Sequence, residues 1–123
     1  MNKILIVDDE KPILTMYQTT LSDLKDFEIL TAGNGEEAIS IAKKEQPSLI
    51  YLDIIMPKLN GLDVLKRLKD DENTKDIPVV LLTNLPAEAS AEKAKTLGAL
   101  DYFVKVECEP DDLLKKTKQI LGI

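Results

Sequence analysis

Ile4-Leu5-Ile6-Val7-Asp8-Asp9 is an apolar run that stops on two carboxylates, and the chain repeats the arrangement further on. Leu49-Ile50-Tyr51-Leu52 stops on Asp53, Val79-Val80-Leu81-Leu82 on Thr83, and Tyr102-Phe103-Val104 on Lys105. Short β-rich runs alternating with helical periodicity mark repeated βα units around a parallel sheet. The pattern predicts strands over 3–7, 27–32, 48–53, 78–83 and 100–105, with helices over 11–24, 35–45, 61–70, 87–97 and 111–121. Punctuation agrees: Gln46-Pro47 and Ile77-Pro78 precede strands, Leu97-Gly98 closes a helix, and Asn34 and Asn60 are suited to cap two others.

The runs at 4–7 and 79–82 are apolar without alternation, so both of their faces should be covered and these strands should lie centrally. Glu28-Ile29-Leu30-Thr31 is more mixed, as suits an edge strand. With right-handed crossovers the expected fold is α/β: a doubly wound five-stranded parallel sheet in the order 2-1-3-4-5, flavodoxin-like, (βα)5. Such a sheet points all its strand carboxyl ends to one edge, with a crevice between strands one and three. Four segments therefore deliver Asp8, Asp9, Asp53, Thr83 and Lys105 to one place. Acids without histidine or thiol form a hard oxygen cage suited to Mg²⁺, and a hydroxyl with an ammonium suits the oxygens of a phosphoryl group. The combination reads as an aspartate that accepts phosphate. Singly, each residue has a plainer explanation. Asp8-Asp9 before Glu10-Lys11-Pro12 resembles an acidic helix start, Asp53 a turn cap and Lys105 a surface lysine. None of these explains why all four strand ends are polar with matched chemistry.

At 123 residues the chain is one domain, 1–123, long enough for a core and too short for a second. A 44% hydrophobic, 31% charged composition is that of a soluble globular protein. No stretch approaches the ~20 apolar residues of a membrane span, and no secretory pattern precedes the first strand, so the expected location is the cytoplasm. The lone Cys108 has no disulfide partner and reads as a loop residue; the absence of histidine argues against a zinc site. A net charge of −6 argues against direct nucleic-acid binding. Absence of histidine also means that any phosphohistidine donor belongs to a partner. Lys66 to Asp76 reads as the solvated end of the third helix and its loop, without a specific role.

Over essentially its whole length the chain resembles the receiver domain of two-component response regulators, especially the stand-alone chemotaxis type. The resemblance rests on Asp8-Asp9, on Asp53 with Met56-Pro57 and Gly61 in DIIMPKLNG, on Thr83, and on Tyr102 three residues before Lys105. It implies that Asp53 is the phosphoacceptor, supplied by a sensor histidine kinase or histidine phosphotransfer protein. It further implies that Asp9, Asp53 and the Ile55 backbone carbonyl ligate Mg²⁺ while Asp8 acts mainly through water. Lys105 and Thr83 would bind phosphoryl oxygens. Tyr102 would switch with Thr83, altering the face of the fourth helix, fifth strand and fifth helix that a downstream protein reads. Such a domain is not an enzyme for other substrates; it catalyses only its own phosphorylation and dephosphorylation.

Two departures stand out. The family usually has proline after the lysine, where this chain has Val106, so a trans Lys105-Val106 bond is expected. The residue after the threonine is usually small, and here it is Asn84. Ile55 and Leu85, which flank the phosphoryl site in the family, are apolar and offer no hydrogen bond to an attacking water, which predicts slow loss of phosphate. Other readings are weaker. A haloacid dehalogenase-like phosphatase needs an acid where Ile55 stands, a flavodoxin needs hydroxyls where Asp8-Asp9-Glu10 stand, and no dinucleotide or Walker glycine motif is present. A pseudo-receiver scaffold would have lost an acid or the lysine. A receiver belonging to a longer regulator or hybrid kinase remains an alternative.

Overall fold

Strand and helix alternate along the whole chain in the computed structural model, which describes residues 2–123. The order is β1 (Asn2–Val7), α1 (Lys11–Leu21), β2 (Phe27–Ala32), α2 (Gly35–Glu45), β3 (Leu49–Leu52), α3 (Gly61–Asp70), β4 (Val79–Thr83), α4 (Ala87–Thr96), β5 (Asp101–Val104), a 3-10 turn (Lys105–Glu107) and α5 (Pro110–Leu121). All pairings are parallel, in the sheet order β2-β1-β3-β4-β5. The expected topology is therefore the observed one, with β1 and β4 inside the sheet and β2 at an edge.

Because successive strand residues point to opposite faces, the apolar runs feed two separate layers. Leu5, Val7, Ile50, Leu52, Val79 and Leu81 pack beneath α2, α3 and α4 with Val64, Leu65 and Ala94. Ile4, Ile6, Leu49, Tyr51, Val80 and Leu82 pack beneath α1 and α5 with Leu14, Leu21 and Leu113. Across the second layer, the buried Tyr51 hydroxyl pairs with Thr117 Oγ1 at 2.6 Å, tying β3 to α5. Thr117 donates onward to the Leu113 carbonyl, so both hydroxyls are satisfied.

Local chemistry sets the helix ends. The Asn34 and Asn60 side chains accept from the Glu37 and Asp63 amides and cap α2 and α3 as expected. Gly98, at φ +104°, turns the chain after α4 in a conformation that other residues rarely adopt. Several predicted ends shift by one residue, β3 among them at Leu49–Leu52, and two differences have a visible cause. α1 ends at Leu21 rather than residue 24, although Leu24 is buried; its spacing mimics another helical turn while its amide closes a turn onto the Leu21 carbonyl. β5 ends at Val104, and Lys105 begins the 3-10 turn that the Cys108 amide closes. Cys108 lies in a loop as expected, yet it is buried in the α1/α5 layer.

The segment after α3 is more structured than its charge pattern suggested. Lys69 Nζ donates to the carbonyls of Lys75 and Ile77 at 3.0 and 2.7 Å, and the buried Thr74 hydroxyl donates to Leu68 at 2.7 Å. These bonds pin the loop that leads into β4.

Candidate functional site

Parallel pairing brings the ends of β1, β3, β4 and β5 to one edge, and the ladder carries past the strand ends. The Asp53 amide donates to the Val7 carbonyl at 3.0 Å, and the Asp8 amide to Ala32 at 3.1 Å. Asp8 and Asp53 are thereby held side by side at the point where the chain crossings reverse. Both are nearly buried, their side chains 2% and 6% exposed. At such a place a carboxylate needs a partner.

That partner is Lys105. Its ammonium, 8% exposed, pairs with Asp8 Oδ2 and lies 3.1 Å from Asp53 Oδ2. Burial opposes the lysine's charge, but hydrogen bonds and fields from Asp8 and Asp53 outweigh it and hold the pKa above the ordinary lysine value. The other oxygen of Asp53 accepts from the Ile54 amide at 2.8 Å, which fixes the carboxylate's orientation. Asp8 Oδ1 accepts from the Glu10 amide at 2.9 Å, and this turn leads into α1.

Asp9, Glu10, Asp53, Ile55, Thr83, Asn84 and Lys105 line one open cavity of about 290 Å³. Asp8 is buried and does not line it, but pairs with Lys105, which does. The carboxylate oxygens of Asp8, Asp9 and Glu10 fall within 4.8 Å of one another, an all-oxygen set that suits a small hard cation such as Mg²⁺. Sequence reasoning left Glu10 out of this group because its neighbours read as a helix start. Asp53 is outside the cluster and is engaged by Lys105, although it opens into the same cavity.

Thr83 is fully buried, and its hydroxyl oxygen accepts from the Leu85 amide at 3.3 Å. Leu85 departs from its expected place. It packs, partly buried, against the α4-side layer and is not among the residues lining the cavity, whereas Asn84 and Ile55 are. Tyr102 also reaches this loop: its phenol donates to the Leu85 carbonyl at 2.7 Å and pairs with Ser90 Oγ of α4 at 2.7 Å. A phenol has one proton, so Ser90 is the donor of the second bond. Ser90 was not singled out from the sequence, where it is one small residue in a helix. The Lys105-Val106 peptide is trans, as expected.

The profile of the response regulator receiver domain family matches residues 4–118. The chain belongs to the response regulator receiver domain family. This receiver domain is 38% identical to the alkaline phosphatase synthesis transcriptional regulatory protein PhoP of Bacillus subtilis, the match covering 97% of this chain and 48% of the relative. It is 37% identical to the phosphate regulon transcriptional regulatory protein PhoB of Pseudomonas aeruginosa, covering 96% and 51% respectively. The receiver domain thus spans about half the length of the curated relatives it matches. Among solved structures it resembles the chemotaxis protein CheY4 of Vibrio cholerae at 32% identity and a TM-score of 0.87, covering 97% of this chain and 98% of that one. A response regulator from Desulfuromonas acetoxidans is 30% identical, with a TM-score of 0.85 and coverage of 99% and 98%. No helix among the described residues is long and apolar enough to cross a membrane.

Proposed function

We propose that this receiver domain takes a phosphoryl group onto Asp53 from a phosphohistidine of a sensor histidine kinase or histidine phosphotransfer protein. The carboxylate oxygen forms a bond to phosphorus as the phosphorus–nitrogen bond breaks, and the bonding pair goes to the departing imidazole, which leaves neutral because its other ring nitrogen already carries the proton. The observation that carries the reading is the state of Asp53. One oxygen is tethered to the Ile54 amide, the other faces Lys105, and the group opens into a cavity that Thr83 and the acids also line. Lys105 and Thr83 supply a cation and a hydroxyl for the oxygens on which charge spreads. Asp8, Asp9 and Glu10, with Asp53 and the Ile55 carbonyl beside them, would hold Mg²⁺, which supplies charge neutralisation to the phosphoryl oxygens.

Readout runs through Tyr102. Its bonds to Leu85 and Ser90 join β5 to the loop after Thr83 and to α4, so a change at Thr83 is felt on the α4/β5/α5 face where a downstream protein binds. The domain acts on no substrate other than its own phosphoryl group, works in the cytoplasm, and at a net charge of −6 is not itself a nucleic-acid binder. The length of the curated relatives, named as transcriptional regulators, supports a second reading in which the same chemistry controls an attached output segment. The full reading frame distinguishes the two.

Intact-mass measurement after incubation with acetyl phosphate and Mg²⁺ tests the assignment. The parent should gain one phosphoryl mass and Asp53→Asn none, with an unchanged circular dichroism spectrum. Undiminished uptake by Asp53→Asn would sink the assignment.

A further inference from the structure

Thr83 and Lys105 act together only if the loops that carry them keep a fixed relation. The β4–β5 ladder supports that relation up to the pair Thr83 with Val104. Beyond this pair the strands end, and Lys105 stands one residue past the last rung. One further cross-link exists: the Val106 amide donates to Asn84 Oδ1 at 3.1 Å. We propose that Asn84 is a positioning residue for phosphoryl transfer to Asp53, acting through the Val106 amide to keep Lys105 in register with Thr83.

This inference rests on the reading of Asp53 as phosphoacceptor, and three observations support it. Val106 is 76% exposed, so the residue's contribution at this point is its amide rather than its packing. Its two bonding partners occupy the two positions where the chain departs from the family pattern. A proline at 106 would have no N–H to give, and a small residue at 84 would have no oxygen to accept it. The bond also differs in kind from the ties on the Lys105 side chain. Those run to Asp8 and Asp53 and depend on carboxylate charge, which changes when Asp53 becomes an acyl phosphate. The Asn84–Val106 bond is neutral on both sides and survives that change. Lys105 can then exchange the Asp53 oxygen for a phosphoryl oxygen without its backbone drifting, which is what orientation in the transition state requires.

Two measurements on the whole chain test this. Amide exchange by NMR reads the bond directly: the Val106 proton should exchange about fivefold faster in Asn84→Ala, the weight of one ordinary hydrogen bond. Asn84→Asp, which keeps the acceptor, should retain the protection. Rates of Asp53 phosphorylation by acetyl phosphate then form a cycle. Asn84→Ala should slow uptake about fivefold in the parent and have no further effect in a Val106→Pro background, where the donor is already gone. Comparing within each background removes whatever else the proline does to Lys105. Unchanged Val106 exchange in Asn84→Ala, equal slowing in both backgrounds, or no slowing in the parent overturns the proposal while leaving Asp53 as acceptor. Failure of the parent to take up phosphate overturns both.

Discussion

Ile55 stands 60% exposed at the mouth of the Asp53 cavity, an apolar side chain where hydrolytic water must approach. Loss of phosphate needs a water held in line with the scissile bond, and a hydrogen-bonding group that orients it raises the rate. Replacement of Ile55 by asparagine should therefore accelerate decay of phospho-Asp53 by about tenfold, followed as loss of the phosphoryl mass over time. Equal decay of parent and variant would show that water is positioned elsewhere. Leu85 is a poor site for the companion change, because its contacts with the α4-side layer confound any effect on hydrolysis. The residues proposed to carry the chemistry stand out in the sequence because each closes an apolar run, Asp9 directly behind Asp8. Ser90 and Glu10 do not, and Asn84 stands out only as a departure from the family pattern, since what matters about all three is a partner across the fold or a shared cavity, and neither leaves a local pattern.

At the level of elements, two junctions determine how firmly the site is held. The start of α3 lies directly against the strand end that carries Asp53: a Cβ on Gly61 would overlap the Asp53 carbonyl oxygen and meet Ile54 Cα at 2.7 Å. Both obstacles are backbone, which has little room to yield, so Gly61→Ala should destabilise the fold by about 1–3 kcal/mol in urea denaturation. A neutral substitution would mean that α3 can shift. The second junction is the Tyr51–Thr117 bond between β3 and α5. Burial pushes the Tyr51 phenol up to about 12 although the Thr117 hydroxyl pulls the other way. In the unfolded chain the phenol ionises near 10, so between roughly pH 10 and 12 the unfolded state binds fewer protons and stability falls as pH rises. The full contribution is present below about pH 10, and roughly 2 kcal/mol is lost by pH 12. Tyr51→Phe should be less stable by ~1 kcal/mol at neutral pH and show a shallower decline over that range, compared with the parent by chemical denaturation. Parallel declines would place the alkaline sensitivity in other groups, the buried Cys108 thiol and Tyr17 among them. Helix caps, strand order and edge placement were readable from sequence, because capping side chains and unbroken apolar runs are local signals. The end of α1 was not: Leu24 keeps helical spacing after the hydrogen-bonding has ended.

For the molecule as a whole, crowding acidic groups at one sheet edge opposite one lysine should make folding sensitive to divalent cations. Mg²⁺ bound by the native state alone should raise stability by about 2.7 kcal/mol at a hundredfold excess over its dissociation constant. Thermal melts with and without the ion at matched ionic strength check this, and equal midpoints would count against the metal site. Topology at this scale followed from the sequence because handedness and strand character leave few alternatives. The ties between loops, such as Lys69 to Ile77, did not, since they depend on side chains meeting across segments with no periodic signature. The sheet divides the interior into two layers that share no side chains, one under α2, α3 and α4 and the other under α1 and α5. Tyr102 belongs to the first and its neighbour Phe103 to the second. Substitutions in separated layers without common partners add rather than interact. Lineages carrying this fold can therefore accumulate changes in one layer without revisiting the other, and the surfaces above them are free to diverge toward new partners at independent rates.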